Sequence, residues 1–232
     1  MDEEQLMDKN QWVMAALPHI AFDGWTKEAL YHAAHDMDDG LSQQSITQQM
    51  DREFPHLPKD LLSAFASIVE QDLQEHIAVL LPKNMRFHEK LTGALMASYQ
   101  HFAPYRPAMQ KAAGLGLNPS MTALGLTIIA RQADSIWSSF QDQSLDFNYY
   151  SKRASLSMVL LSSLQIYLYD DSENLQNTRA FLMRRIDDVM RIPKIKAQCQ
   201  KRIGAIKDRF CHAFAQTMPN MGIKSDLKMR GR

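Results

Sequence analysis

The sequence predicts an all-α protein, a bundle of about nine to ten helices. Three observations carry that prediction. Apolar residues recur at three- and four-residue steps along nearly the whole chain. The Val and Ile alternation that marks strands is absent. The 232 residues are 45% hydrophobic and 22% charged, ordinary values for a globular chain able to bury a sizeable core.

The elements follow in order. Leu6–Leu17 is the first helix, expected to end near Pro18. Thr26 is placed to N-cap Lys27–Met37, which Asp38-Asp39-Gly40 should stop. Ser42–Met50 is a short polar helix, and Pro55 and Pro58 mark a joint. Lys59–Leu80 runs long, with Phe65, Ile68, Val69, Leu73, Ile77 and Leu80 on one side, and Pro82 closes it. Asn84–Phe102 follows, then a shorter helix after Pro104 that stops at Gly114 and Gly116. Asn118 caps Pro119–Phe140. Next comes Phe147–Tyr169, whose apolar positions Leu156, Met158, Val159, Leu160, Leu161, Leu164, Ile166 and Leu168 pass almost all the way round a helix. That pattern predicts a central, largely buried element. Leu175–Arg191 and Pro193–Met218 complete the set. Without repeats or low-complexity linkers, residues 1–192 read as one domain and 193–232 as a basic helix and tail.

Charge is uneven although the total is zero. Met1–Asp60 carries four basic and twelve acidic residues, a local net of −8, and Arg191–Arg232 carries eleven basic residues against two acidic ones, a net of +9. Residues 1–52 have a helix-turn-helix-like layout, but the third helix holds no Lys or Arg before Arg52, so phosphate neutralisation fails and nucleic acid is not the expected partner. Cys199 and Cys211 would lie about 18 Å apart on one helix, too far for a disulfide, which implies a reducing compartment. The acidic start MDEEQLMDKNQW is unlike a signal or transit peptide, and no apolar run reaches membrane-spanning length.

Catalytic chemistry is not readable. Glu53-Phe54-Pro55-His56 is a single, proline-broken Glu-x-x-His, His32 and His35 beside Asp36 make a weak ligand set, and Gly114-Leu115-Gly116 lacks a third glycine and a preceding strand. The expectation is no catalytic residue, no metal site and no cofactor. What is readable is apolar. Leu124, Ile128, Ile129, Ile136, Trp137 and Phe140 share one helix and face the core of the Phe147–Tyr169 helix, which offers Leu160 and Leu164, together with Phe65, Ile68 and Met96. A filled core is the ordinary reading of these residues, a ligand cavity is the alternative that the sequence cannot separate from it, and the fifteen methionines fit either. In the last helix Ile192, Ile195, Cys199, Ile203, Ile206, Phe210 and Phe214 form a stripe, with Lys196, Arg202 and Lys207 on its shoulders. That is the pattern of a helix lying in an anionic membrane interface; packing on the domain and a homodimer seam are the alternatives.

One region carries a family resemblance. The run A-D-S-I-W at Ala133–Trp137, then D-Q-S-L-D-F-N-Y-Y-S-K-R-A at Asp142–Ala154, is followed by Tyr169-Asp170-Asp171-Ser172 and by Arg179–Met190. Together, and more loosely with Ala15–Trp25, these resemble the lipid-binding accessory proteins of ubiquinone (coenzyme Q) biosynthesis, which have the fold of TetR-type regulators. The resemblance implies a non-enzymatic TetR-like protein with a bound isoprenoid or phospholipid ligand. The cavity set would be Leu124, Ile128, Ile136, Trp137, Phe140, Leu160 and Leu164. It also implies a surface for the di-iron demethoxyubiquinone hydroxylase, or other ubiquinone-biosynthesis enzymes, at Trp137, Asp146, Phe147, Asn148, Tyr149, Tyr150 and Arg153. Tyr149 stands where relatives have Trp, a change that keeps a ring but trims contact area. The resemblance favours the membrane reading for Ile195, Lys196, Arg202, Ile203, Ile206, Lys207 and Phe210, and with it a cytoplasmic protein peripheral on the inner face of a bacterial membrane. A TetR-type ligand-sensing transcriptional regulator is the alternative.

Overall fold

The computed structural model describes residues 8–37, 42–140 and 147–189, and among these every regular element is helical. The order is α1 (Lys9–Asp23), α2 (Lys27–Met37), α3 (Gln43–Glu53), α4 (Lys59–Leu80), α5 (Phe87–His101), a 3-10 turn at Ala103–Tyr105, α6 (Arg106–Leu115), α7 (Pro119–Ser139) and α8 (Phe147–Leu168). A second 3-10 turn at Glu173–Leu175 leads into α9 (176–189). The chain divides into two units, Met1–Asp187 and Asp188–Arg232. The first is an all-α bundle in the TetR-like order of short helices before long ones.

Cap chemistry sets most of the boundaries. Ser42 accepts from the Ser45 N–H and opens α3, and Asn118 accepts from the Ser120 N–H ahead of Pro119 at the first position of α7. Gly24 closes α1 with φ 74°, a backbone region that suits glycine, and donates its N–H to Ile20 O at 3.0 Å. The expected stop at Pro18 does not occur, since α1 continues through it to Asp23. Pro18 is exposed, whereas Leu17, Ile20 and the following Trp25 are buried, so burial of that face outweighs the backbone hydrogen bond a proline forfeits. Pro18→Ala should therefore raise unfolding stability by about 1–3 kcal/mol in a urea titration.

The N-terminal core gathers Trp12, Val13, Ala16, Leu17 and Ile20 of α1 with Leu30, Ile46, Met50, Phe54, Leu61 and Phe65. Trp25 is buried there and donates its indole N–H to Ala108 O at 3.0 Å, tying the start of α2 to α6. α3 extends three residues beyond the expected Met50 and so includes Arg52, which lies 3.9 Å from Glu53; its outward residues Gln43, Gln44 and Gln48 carry no charge.

The longer helices form the second half of the body, with α4 packed on α5 and α7, and α7 on α8. A polar clasp holds α4 to α7. Gln74 donates to Ser135 Oγ at 2.8 Å and accepts from Ser139, and Arg131 pairs with Glu70 at 2.8 Å. The expectation that α8 is buried nearly all round is corrected. Leu156, Val159, Leu160, Tyr167 and Leu168 are buried, but Met158 is 65% exposed and Ile166 38% exposed. Neighbouring helices cover one side of α8, and apolar residues continue round to a side they do not cover.

Candidate functional site

A cavity of about 340 Å³ opens between α4, α5, α6, α7 and α8. Its walls are mainly apolar, from Leu62, Phe65, Val69 and Leu73 of α4, Met109 of α6, Met121, Ile128 and Ile129 of α7, and Leu160, Leu161, Leu164 and Leu168 of α8. The volume falls at the low end of ligand pockets generally.

Gly125 leaves open space in this wall. At 100° per residue, Met121, Gly125, Ile128, Ile129 and Gln132 share the inward face of α7. A Cβ built on Gly125 meets nothing within 4 Å, so any side chain there would enter the cavity. In sequence this glycine is one residue inside a helical pattern, and its lack of a side chain on the inner face was the available signal.

The polar residues of the wall are Ser98 and Tyr99 of α5, Thr122 and Gln132 of α7, and Gln165 of α8. Tyr99 stacks on Tyr167 with ring centroids 4.3 Å apart and planes 10° apart. The Tyr99 and Ser163 hydroxyls lie 3.0 Å apart, and Ser163 also lies 3.0 Å from Leu160 O. Tyr167 donates to Tyr99 O at 2.8 Å. Burial pushes the Tyr99 phenol up to about 12, only partly countered by Ser163, and burial likewise raises Tyr167 despite Arg106 nearby. Both phenols are neutral, so the polar groups of the cavity wall are hydroxyls and amides without charge.

Below the cavity the end of α8 is locked. Arg106 donates to Asp170 O at 2.5 Å and to Tyr167 O at 3.3 Å, and Gln110 donates to Leu168 O at 2.6 Å. These side chains satisfy carbonyls that a helix C-terminus leaves unpaired. Asp170 then receives hydrogen bonds from the Ser172 and Thr178 N–H groups, from both of their hydroxyls and from Asn177. Burial alone would raise its pKa, but those donors hold the carboxyl well below the usual carboxylate range.

The expected cavity residues separate into groups. Ile128, Leu160 and Leu164 line the cavity. Trp137 and Phe140 instead flank Phe87, Trp137 stacked at 4.9 Å and Phe140 edge-on at 4.7 Å. Ile136 is fully buried, and Leu124 is half-buried. Of the three companions expected from other helices, Phe65 lines the cavity, Met96 is buried, and Ile68 packs on the N-terminal core. Tyr99, Met109 and Gly125 line the cavity as well, outside the set that sequence reasoning identifies.

Of the expected partner surface, Tyr150 is 72% exposed. The Arg153 side chain is only 14% exposed and pairs with Asp134, and Lys152 Nζ sits 5.3 Å from the Trp137 ring centre. Asp146 and the side chains of Phe147, Asn148 and Tyr149 lie outside the described residues, as do Ile195, Lys196, Arg202, Ile203, Ile206, Lys207 and Phe210. No helix among the described residues is long and apolar enough to cross a membrane.

Comparison with known proteins converges on the same region. Residues 122–193, which take in nearly all of α7 and the whole of α8 and α9, match the COQ9 family model. The chain is 24% identical over 191 residues to the human "Ubiquinone biosynthesis protein COQ9, mitochondrial", covering 81% of this chain and 58% of that protein. The bovine protein of the same name is 25% identical over 191 residues, with the same shares covered. The Drosophila melanogaster protein is 23% identical over 213 residues, covering 90% of this chain and 63% of that protein. The chain thus spans less than two thirds of the length of these relatives.

Proposed function

From a chain that is similar to the COQ9 ubiquinone biosynthesis proteins over most of its length, we propose a non-enzymatic accessory role in that biosynthesis. The protein binds an isoprenoid quinone intermediate between α4 and α8 and presents it to a hydroxylase at the membrane. The observation that carries this reading is the cavity itself, apolar along most of its wall and with open space at Gly125 on the inner face of α7. An isoprenoid tail suits the leucine and methionine walls, while a quinone head carries oxygens that suit Tyr99, Ser98 and Gln132. The absence of charge in that lining fits a neutral ligand. The cell membrane is the natural source of so apolar a ligand, and the basic stripe at 193–232 supplies a peripheral contact with its inner face.

The test is extraction of lipid from the purified full-length chain, followed by mass spectrometry. Isoprenoid quinones or their precursors at near one per chain support the reading. Phospholipid alone, in proportion to carry-over from unrelated proteins, counts against it.

The hydroxylase contact is carried by Tyr150. A tyrosine this exposed, on the first turn of α8 and beside the Asp134–Arg153 pair, is a residue type enriched where partners dock. Tyr150→Ala should leave stability within about 1 kcal/mol of wild type, as surface substitutions usually do. It should weaken binding to a di-iron demethoxyubiquinone hydroxylase by about 2 kcal/mol or more in calorimetry. Unchanged affinity would move the docking surface elsewhere.

A further inference from the structure

We propose that Asp72, His76 and His101 bind one divalent transition-metal ion of the zinc class. Asp72 and His76 lie one turn apart on α4 and therefore share a face. His101 is the last residue of α5, which the α4–α5 hairpin returns to the same place. One ligand atom from each residue lies within 4.8 Å of the others. His76 Nε2 is 3.5 Å and His101 Nδ1 is 2.5 Å from Asp72 Oδ1.

These distances suit a small cation. Zinc binds nitrogen and carboxylate oxygen at about 2.0–2.2 Å, so tetrahedral neighbours stand about 3.3–3.5 Å apart. The Asp72–His76 separation already matches that spacing. His101 must open by about 1 Å at most, which its 58% exposed side chain at a helix end allows.

A salt bridge between Asp72 and His101 explains only part of the cluster. Asp72 Oδ2 and His76 Nε2 are both buried and have no hydrogen-bond partner, although the Asp72 side chain is only 11% exposed. Buried polar atoms are ordinarily paired, and two of the five unpaired ones among the described residues belong to the residues that would ligate. Two imidazoles with a single carboxylate favour zinc and its neighbours over calcium or magnesium, which take oxygen-rich sites. Three protein ligands leave a fourth position to water on the solvent side of His101.

The position gives the ion a purpose. Leu73 of α4 and Phe102, just past the end of α5, each the next residue after a proposed ligand, line the cavity. An ion at Asp72, His76 and His101 would pin α4 to α5 behind the cavity wall. This does not depend on which ligand the cavity takes.

The experiment uses the full chain, stripped with a chelator and then titrated with zinc chloride by calorimetry, with cobalt(II) absorption as a report of coordination geometry. One ion per chain, intense tetrahedral cobalt bands and a rise in melting temperature are expected. His76→Gln and His101→Gln should each weaken zinc binding by more than the roughly 10–100-fold that loss of an outer-shell partner costs. His19→Gln, which removes a distant histidine paired with Asp36, should leave binding unchanged. His101→Gln alters an exposed helix end, so its circular dichroism should match wild type and it decides the matter if His76→Gln fails to fold. Absence of stoichiometric uptake by wild type overturns the proposal, and so does uptake that survives His101→Gln, since zinc would then be held elsewhere.

Discussion

Replacing Gly125 by Phe should leave the protein folded and all but abolish lipid binding. The backbone at this position is regular α7 helix, so a residue other than glycine is slightly favoured there. The new side chain meets nothing within 4 Å at its Cβ and projects among Met121, Ile128 and Leu164. Stability should therefore stay within about 1 kcal/mol of wild type. The ligand loses the space the ring takes. Each buried methylene contributes about 0.8 kcal/mol, so excluding one five-carbon isoprene unit costs about 4 kcal/mol, close to a thousandfold in affinity. Gly125→Ala is the graded control, with most of the cavity kept. Fluorescence titration with a short-chain isoprenoid quinone checks both variants. Equal affinity for wild type and Gly125→Phe would place the lipid elsewhere.

Asp170→Ala should be the most damaging single change to the fold. The carboxylate receives five hydrogen bonds and joins the end of α8 to the first turn of α9. Removing it strands the buried N–H and hydroxyl of Thr178, each costing about 1–3 kcal/mol. The loss should reach about 3–4 kcal/mol, or some 6–16 °C in melting temperature for a domain of this size. Asp170→Asn keeps one acceptor oxygen and should fall between. The pH dependence has a definite sign. Because the folded pKa lies below the ordinary value of about 3.9, the contribution is complete above that pH and is lost as pH falls toward the folded value. The gap between wild type and Asp170→Ala should thus be flat from neutral pH to about 5 and narrow in stronger acid. A gap that widens on acidification would contradict this account of Asp170.

Much of the architecture was legible because it is written in local chemistry. Lys27–Met37 and Lys59–Leu80 match the sequence-based bounds, since caps, prolines and apolar spacing all act within one turn. Pro18 misled for the converse reason: what carries α1 past it is burial against other helices, which is non-local. The exposure of Met158 and Ile166 escaped similarly, because counting apolar positions round α8 does not say how many neighbours surround it. The helices that bound the cavity were readable, and so were Ile128, Leu160 and Leu164 on its walls. The space itself was not, as a filled core uses the same residue types and only Gly125 differs. The Asp72–His76–His101 cluster was invisible in a different way. Its third member is 29 residues away from Asp72 in sequence, and only the α4–α5 hairpin brings them together.

The central claim is that an isoprenoid occupies the space between α4 and α8. A photoreactive isoprenoid quinone, cross-linked to the wild-type chain and mapped by peptide sequencing, tests it most directly. The account predicts labels on α7 and α8 at or beside Ile128, Leu160 and Leu164, removed by excess unlabelled quinone and by Gly125→Phe. Labels confined to residues 193–232, or to the Phe87, Trp137 and Phe140 rings, would contradict it.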